Sequence, residues 1–211
     1  MIEFWESKFK NEGAMWKFEP SDSAILALNL FKSLKFKSIF IPGIGYGRNA
    51  RIFIENGFKV TGIEISKSAI DLAKKNGINC RIHHGSVTSM PFDNQQYDSV
   101  FCYALIHLLN KPERKAFLRS CFNQLRPEGL MMFTVATKET GMYGDGKYLS
   151  RNRFEVAKGL RVYFYDSESI LREFTNFGLI DYREIEEPIK FMDGQNPIKL
   201  ALVTCKKTNQ T

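Results

Sequence analysis

A glycine turn between a short apolar run and an amphipathic segment constrains this chain more than any other feature. The turn reads Pro42-Gly43-Ile44-Gly45-Tyr46-Gly47-Arg48. Before it, Ser38-Ile39-Phe40-Ile41-Pro42 has the length and continuous apolarity of a strand buried on both faces. After it, residues 49–56 read as a helix closed by Gly57. Glycines at such a joint let the backbone bend sharply and approach a ligand with no Cβ in the way, and the first helical amides lie beside the same spot. The next apolar run, Lys59-Val60-Thr61-Gly62-Ile63-Glu64, ends on a carboxylate. It stands about 20 residues after the first glycine, where a nucleotide-binding unit places the acid that accepts from ribose hydroxyls. One carboxylate takes both hydroxyls, so the pattern implies an adenosine whatever is attached to it. The pyrophosphate fingerprint wants its third small residue where Arg48 stands, whereas here the third glycine falls one place early, at Gly47. That spacing turns the reading away from a nicotinamide dinucleotide.

The strand–helix rhythm continues on both sides of the turn. Ser21-Asp22-Ser23 offers caps for a helix with Ala24, Ala27, Leu28, Phe31 and Leu34 at helical spacing. Ser66 caps another, carrying Ala69, Ile70, Leu72 and Ala73. Residues 79–84 and 97–103 read as strands, 112–125 as a helix capped by Asn110, and 130–135 as a fifth strand. The rhythm then stops from Ala136 to Tyr165, a stretch too long for an ordinary joint. It resumes at Asp166, which caps a helix to Phe177; Ser169 stands where a full capping box would carry Glu or Gln. Residues 179–187 and 198–206 are the last strands. Such alternation predicts an α/β architecture around a mostly parallel sheet.

Further landmarks resemble the class I S-adenosylmethionine-dependent methyltransferases. The glycine turn has that family's spacing, and Glu64 stands at its acidic position. Gly85-Ser86-Val87-Thr88-Ser89-Met90-Pro91-Phe92 resembles the stretch after the third strand, where an acid usually meets the adenine amine. Tyr97-Asp98-Ser99-Val100 and Tyr103-Ala104-Leu105-Ile106-His107 are similar to the fourth strand and its turn, and Leu125-Arg126-Pro127-Glu128-Gly129-Leu130 to the joint before the fifth. The resemblance covers about Ser38 to Val135. It implies a Rossmann-like fold: a seven-stranded, mostly parallel sheet with helices on both faces and an antiparallel last strand. It also implies S-adenosyl-L-methionine as cofactor, held by Gly43, Gly45, Gly47, Glu64, Ile65, Ser86, Val87, Tyr103 and His107. Two positions depart from the pattern. Ile41 stands where the family has an acid for the methionine amino group, and Ser86 replaces the adenine-side acid. On this reading 1–211 is one methyltransferase domain: an N-terminal flap and helix (1–37), a cofactor-binding core (38–135), a substrate-cap insertion (136–165), and a C-terminal helix with a strand pair (166–211).

Methyl transfer needs orientation more than a fixed catalytic constellation. His107 is the candidate catalytic base for a thiol or hydroxyl acceptor; the alternative is a histidine that only packs the cofactor. His83 and His84 are adjacent on a strand and point to opposite faces, and no ligand-spaced partners accompany them, so no metal is expected. Two segments are expected to cover the site as irregular structure. Phe4 to Pro20, with Trp5, Phe9, Trp16 and Phe18, resembles the flap of thiopurine-type and tellurite-resistance-type methyltransferases, with Trp5 assigned to packing. The insertion contributes Tyr143, Lys147, Arg153 and Tyr163, which with Trp16 form the candidate substrate set.

The net charge of +7, from 30 Lys and Arg against 23 Asp and Glu, raises nucleic acid as a partner. Much of the excess lies on predicted helix surfaces, and no RNA-binding appendage or proline-rich base-methylating motif follows the fourth strand. The expected acceptor is therefore a small molecule, anionic or electron-rich, offering a thiol, hydroxyl, carboxylate or amine. An RNA methyltransferase and a non-catalytic adenosine-cofactor-binding module are the alternatives. The N-terminus has no signal-peptide pattern and the chain no membrane-length apolar run. Cys80, Cys102, Cys121 and Cys205 share no metal or redox spacing and read as reduced. A cytoplasmic monomer or homodimer is the expectation.

Overall fold

The computed structural model describes residues 2–188 and 196–208; Met1 and 209–211, the outer ends of the expected first and last segments, lie outside them. Apolar strands buried on both faces stack into one sheet. β1 (Ser38–Pro42), β2 (Lys59–Glu64), β3 (Arg81–His84), β4 (Tyr97–Cys102) and β5 (Leu125–Ala136) run parallel. β9 (Leu179–Glu187) and β10 (Ile198–Lys206) complete the sheet in the order β3-β2-β1-β4-β5-β10-β9, and β10 is antiparallel to both neighbours. This is the seven-stranded, mostly parallel sheet that the alternation and the resemblance predict.

Successive side chains on a strand point to opposite faces, and the sheet accordingly divides the core. From β4 and β5, Phe101 and Met132 face one side, where α2 (Asp22–Ser33) and α3 (Arg48–Glu55) bring Ala24, Ala27, Phe31 and Phe53. Val100, Cys102 and Phe133 face the other, where α5 (Lys111–Asn123) and α6 (Ser167–Phe174) bring Phe117, Cys121 and Phe174. The Phe133 ring meets Phe117 edge-on at 6.0 Å and Phe174 at 5.6 Å.

Helix starts are closed by the side chains expected of them. Ser21 accepts from the Ala24 amide, and Asn110 with Glu113 makes a reciprocal capping box on α5. Glu187, at the end of β9, also accepts from the Asp22 and Ser23 amides and so ties α2 to the sheet edge. At α6 the sequence expectation is corrected. Ser169 completes the box, its hydroxyl accepting from the Asp166 amide at 2.9 Å while Asp166 accepts from the Ser169 amide at 2.9 Å. A hydroxyl close to the backbone reaches the orphan amide as well as a longer carboxylate does.

Both stretches expected to be irregular are ordered. The N-terminal one holds α1 (Ile2–Glu12), which packs against α4 (Lys67–Lys75). The insertion folds into a three-stranded antiparallel sheet of β6 (Lys147–Ser150), β7 (Arg153–Ala157) and β8 (Leu160–Tyr163). These strands have only 4 or 5 residues each, with left-handed backbone at Gly146 before them and at Asn152 and Gly159 between them, so no window is long enough to show a period. The small sheet is held by Phe154 and Val162 packing with Phe164, Ala136 and Leu108. All four cysteines are free thiols. No helix among the described residues is long and apolar enough to cross a membrane.

Phe133 is fully buried and contacts aromatics from both covering helices. Phe133→Ala should cost about 3–5 kcal/mol of folding stability, read as a lowered urea midpoint with an unchanged slope.

Candidate functional site

A cleft opens at the C-terminal ends of β1, β2 and β4, the edge at which open α/β sheets bind ligands. Its floor is the glycine turn. Gly43 has φ +67° and Gly47 φ +82°, and a Cβ would lie 2.3 Å from Leu105 at the first and 2.6 Å from Ile78 at the second. The left-handed backbone disfavours any side chain at either position, and one would also have to displace the Leu105 or Ile78 side chain. The turn is anchored by the Gly43 and Ile44 amides, which donate to the Ile63 carbonyl at 2.9 and 3.1 Å.

Glu64 lies beneath this turn and is 6% exposed. Its carboxylate accepts from the Gly45 amide at 2.8 Å, from Ile65 at 2.8 Å and from Ser66 at 2.9 Å. Burial raises its pKa, against the pull of those three donors. One side wall is apolar, with Ile41, Ile63, Leu105 and Val87; the other brings Arg48 and Tyr103 together, the guanidinium 5.2 Å from the ring centroid. Burial also raises the Tyr103 pKa, so the phenol is neutral at ordinary pH. Ser86 sits at the rim, where its hydroxyl caps the short turn 87–89 by accepting from the Thr88 amide at 3.2 Å.

The roof is aromatic. Trp5 and Phe9 of α1 and Trp16 beyond it border the cleft. Trp16 stacks on Tyr46 at 6.4 Å with 10° between the planes, and Phe9 meets Tyr46 edge-on at 6.0 Å. The Tyr46 hydroxyl donates to the Lys17 carbonyl at 2.6 Å and accepts from the Trp16 amide at 3.2 Å, which joins roof to glycine turn. Burial pushes the Tyr46 phenol up to about 12. A second fastening lies at α4, where Glu6 accepts from the Ser66 hydroxyl at 2.7 Å and the Ser68 hydroxyl at 2.6 Å. Those hydroxyl donors, Ser68 first, lower the Glu6 carboxyl to about 2.

The structure thus brings Gly43, Gly45, Glu64, Ile65, Ser86, Val87, Tyr103 and Trp16 to one cleft. Gly47 is beside it, capping α3. His107 is a correction. It is buried behind the wall, its Nδ1 accepts from the Ala136 amide at 3.1 Å, and burial lowers its pKa to about 4. Its acceptor nitrogen is spent on the backbone, so it is no base for the cleft. The insertion's four substrate candidates do not border this cleft either. Tyr143 packs on Phe154 and Phe164, Lys147 is exposed on β6, and Arg153 and Tyr163 border a different, polar cavity. Sequence reasoning missed Arg48 and Leu105 as cleft residues, named Phe9 only within the expected covering segment, and gave Trp5 to packing. The spacing of Trp5 and Phe9, one helical turn apart, was the available signal for a shared face. His83 bonds Asp93 and His84 the Ile65 carbonyl, so the two rings diverge as expected.

Residues 39–129 match a family model described as "Methyltransferase domain". A ubiquinone biosynthesis O-methyltransferase of Coxiella burnetii is 25% identical over 115 residues, 53% of this chain and 48% of that protein. The tRNA N(3)-methylcytidine methyltransferase Mettl2 of Drosophila melanogaster is 24% identical over 165 residues, 69% of this chain and 50% of that protein. The chain therefore spans about half the length of these curated relatives. Among solved structures, the 1,6-didemethyltoxoflavin-N1-methyltransferase of Burkholderia thailandensis, with 1,6-didemethyltoxoflavin and S-adenosylhomocysteine bound, superposes with a TM-score of 0.73 at 17% identity. The match covers 99% of this chain and 87% of that one. At so low an identity this likeness shows the fold. Residues 39–129 thus resemble a methyltransferase domain, and the chain as a whole shares the fold of a methyltransferase.

Glu6 offers a test of the roof. A carboxylate whose pKa is lowered on docking contributes fully above about 4.3, its unfolded value, and loses its contribution as pH falls through the docked value. Docking of α1 should therefore weaken between about pH 4.3 and pH 2. Trp5 and Trp16 are the only two tryptophans, so intrinsic fluorescence reports on this segment alone. The fluorescence shift over that range should disappear in Glu6→Gln, and its persistence would remove Glu6 from the fastening.

Proposed function

We propose that this chain transfers the methyl group of S-adenosylmethionine to a small-molecule acceptor. The observation that carries the reading is the construction of the cleft: a buried carboxylate under a glycine-rich turn, apolar walls and an aromatic roof. Glu64 would hold the ribose. Its Oε2 accepts one amide and keeps acceptor capacity toward the cleft, whereas Oε1 accepts two. The glycine turn lets the methionyl portion lie against backbone, and Arg48 supplies a cation for its carboxylate. Val87 and Ser86 border the place of the adenine. Ile41 leaves the ammonium to backbone carbonyls.

The bound cofactor supplies an activated methyl group that leaves a sulfonium by in-line displacement. The chain's own part is to orient the acceptor and exclude water. The ionisable side chains bordering the cleft are Glu64, Arg48, Tyr46 and Tyr103. Glu64 is committed to amides, and burial keeps the two phenols protonated. None of the four is poised as a base near neutral pH. The acceptor therefore brings its own nucleophilic lone pair: a phenolate, thiolate, carboxylate or unprotonated amine. The similar proteins named for ubiquinone biosynthesis and for 1,6-didemethyltoxoflavin N1-methylation support a small acceptor.

Two measurements test this. Glu64→Ala should weaken S-adenosylmethionine binding by roughly 1.5–3 kcal/mol in calorimetry, the range for hydrogen bonds to a charged group; unchanged affinity would place the ribose elsewhere. A transfer assay with methyl-labelled cofactor should label an acidic phenol or thiol, faster as pH rises through the acceptor's own pKa. Labelling of tRNA transcripts with none of the small acceptors labelled would favour the RNA reading, for which the tRNA methyltransferase relative stands.

A further inference from the structure

We propose that the polar cavity bounded by α5, the β6–β8 sheet and α6 is a second ligand site, one that takes a small tetrahedral dianion such as phosphate or a phosphate monoester. The cavity has a volume of about 730 Å³ and is separate from the cofactor cleft. Six cationic side chains from different elements border it: Lys111, Arg114, Arg151, Arg153, Arg161 and Arg172.

The local carboxylates do not balance them. Glu173 takes Arg114 through two bonds of 2.8 and 2.7 Å, and Glu155 takes Arg161 at 3.3 Å. Glu168 is shared by Arg151 and Arg172, each at 3.2 Å. Asp166 also borders the cavity but is engaged by Lys138 at 2.7 Å. Lys111 and Arg153 have no carboxylate partner among the described residues. Arg153 is half-buried, and its one hydrogen bond within the described residues runs from Nη1 to the Leu109 carbonyl at 3.0 Å. Burial, then the charge of Arg114, lower its pKa against the opposing pull of the Glu113 carboxylate, and Arg161 adds to the lowering. A dianion would relieve that repulsion, and the guanidinium fork pairs with two oxygens of a phosphate at once.

The surroundings hold this arrangement in place. The Arg114 guanidinium lies 3.9 Å from the Tyr163 ring centroid and also donates to the Leu109 carbonyl at 3.1 Å. Arg114 and Arg153 are drawn inward while Lys111, Arg151, Arg161 and Arg172 stand exposed around the same cavity, an arrangement that suits a small anion. The proposal stands apart from the methyl-transfer reading, since it needs no cofactor in the cleft.

Calorimetric titration of the cofactor-free chain with inorganic phosphate, at ionic strength held constant with chloride, tests it. Saturation at one phosphate per chain is expected. Arg153→Gln should weaken binding at least tenfold, with Arg153→Lys in between because it keeps the charge and loses the fork. Lys111→Gln, on the exposed first turn of α5, should weaken it at least threefold and guards against misfolding of the Arg153 variant, while the remote Lys74→Gln should bind as wild type. Unsaturable binding, or affinities within threefold of wild type in both cavity variants, would overturn the proposal. So would a tRNA transcript that binds at least tenfold tighter than phosphate and loses that affinity in Arg153→Gln, which would give the cavity to RNA.

Discussion

The buried Glu64 carboxylate organises the cofactor end of the molecule. A charge at 6% exposure persists only if donors replace the water it gives up. Here they come from three backbone amides, at Gly45, Ile65 and Ser66. Those amides belong to the turn after β1, the end of β2 and the cap of α4, so one side chain fixes three elements at the edge where the cleft opens. The arrangement extends upward. Ser66, whose amide serves Glu64, gives its hydroxyl to Glu6 and accepts the Ala69 amide, which caps α4. A continuous set of hydrogen bonds thus runs from the glycine turn through the floor to the helix of the roof.

The roof and floor are coupled by packing as well. Tyr46 belongs to the glycine turn by sequence and to the aromatic cluster by contact, with Phe9 and Trp16 against its ring. Its position between Gly45 and Gly47 looks incidental in sequence, yet it lets the most constrained backbone in the chain carry the platform for the lid. Opening the cleft means separating these rings while the glycine turn stays fixed by the Ile63 carbonyl.

The sheet, the glycine turn and the acid were legible because each rests on local rules: continuous apolarity for buried parallel strands, positive φ for glycine, and a fixed chain length between Gly43 and Glu64. The cleft residues Ile65, Ser86 and Val87 came only with the family resemblance, which places its binding residues after the second and third strands. The failures share another cause. His107 lies four residues beyond Tyr103, close in sequence, but its short helical turn points the ring at β5, a relation set by the register of two strands. Tyr143, Lys147, Arg153 and Tyr163 carry suitable chemistry, and only the folding of β6–β8 decides which cavity they meet. Arg48 was read as a violation of a dinucleotide fingerprint, whereas its contact with Tyr103 depends on β4 lying beside β1.

The net charge of +7 gains its meaning from this division. The cofactor cleft is a largely apolar enclosure with one buried anion and one cation at its border, where added charge would be costly to desolvate. The basic excess that matters lies beyond Leu109, whose side chain borders the cleft and whose carbonyl accepts from Arg114 and Arg153 on the other side. A single residue thus separates two environments of opposite character. One suits chemistry that needs water excluded; the other suits the capture of an anion through several forked donors. The fold places the two sites within reach of one another without requiring that either bind for the other to form.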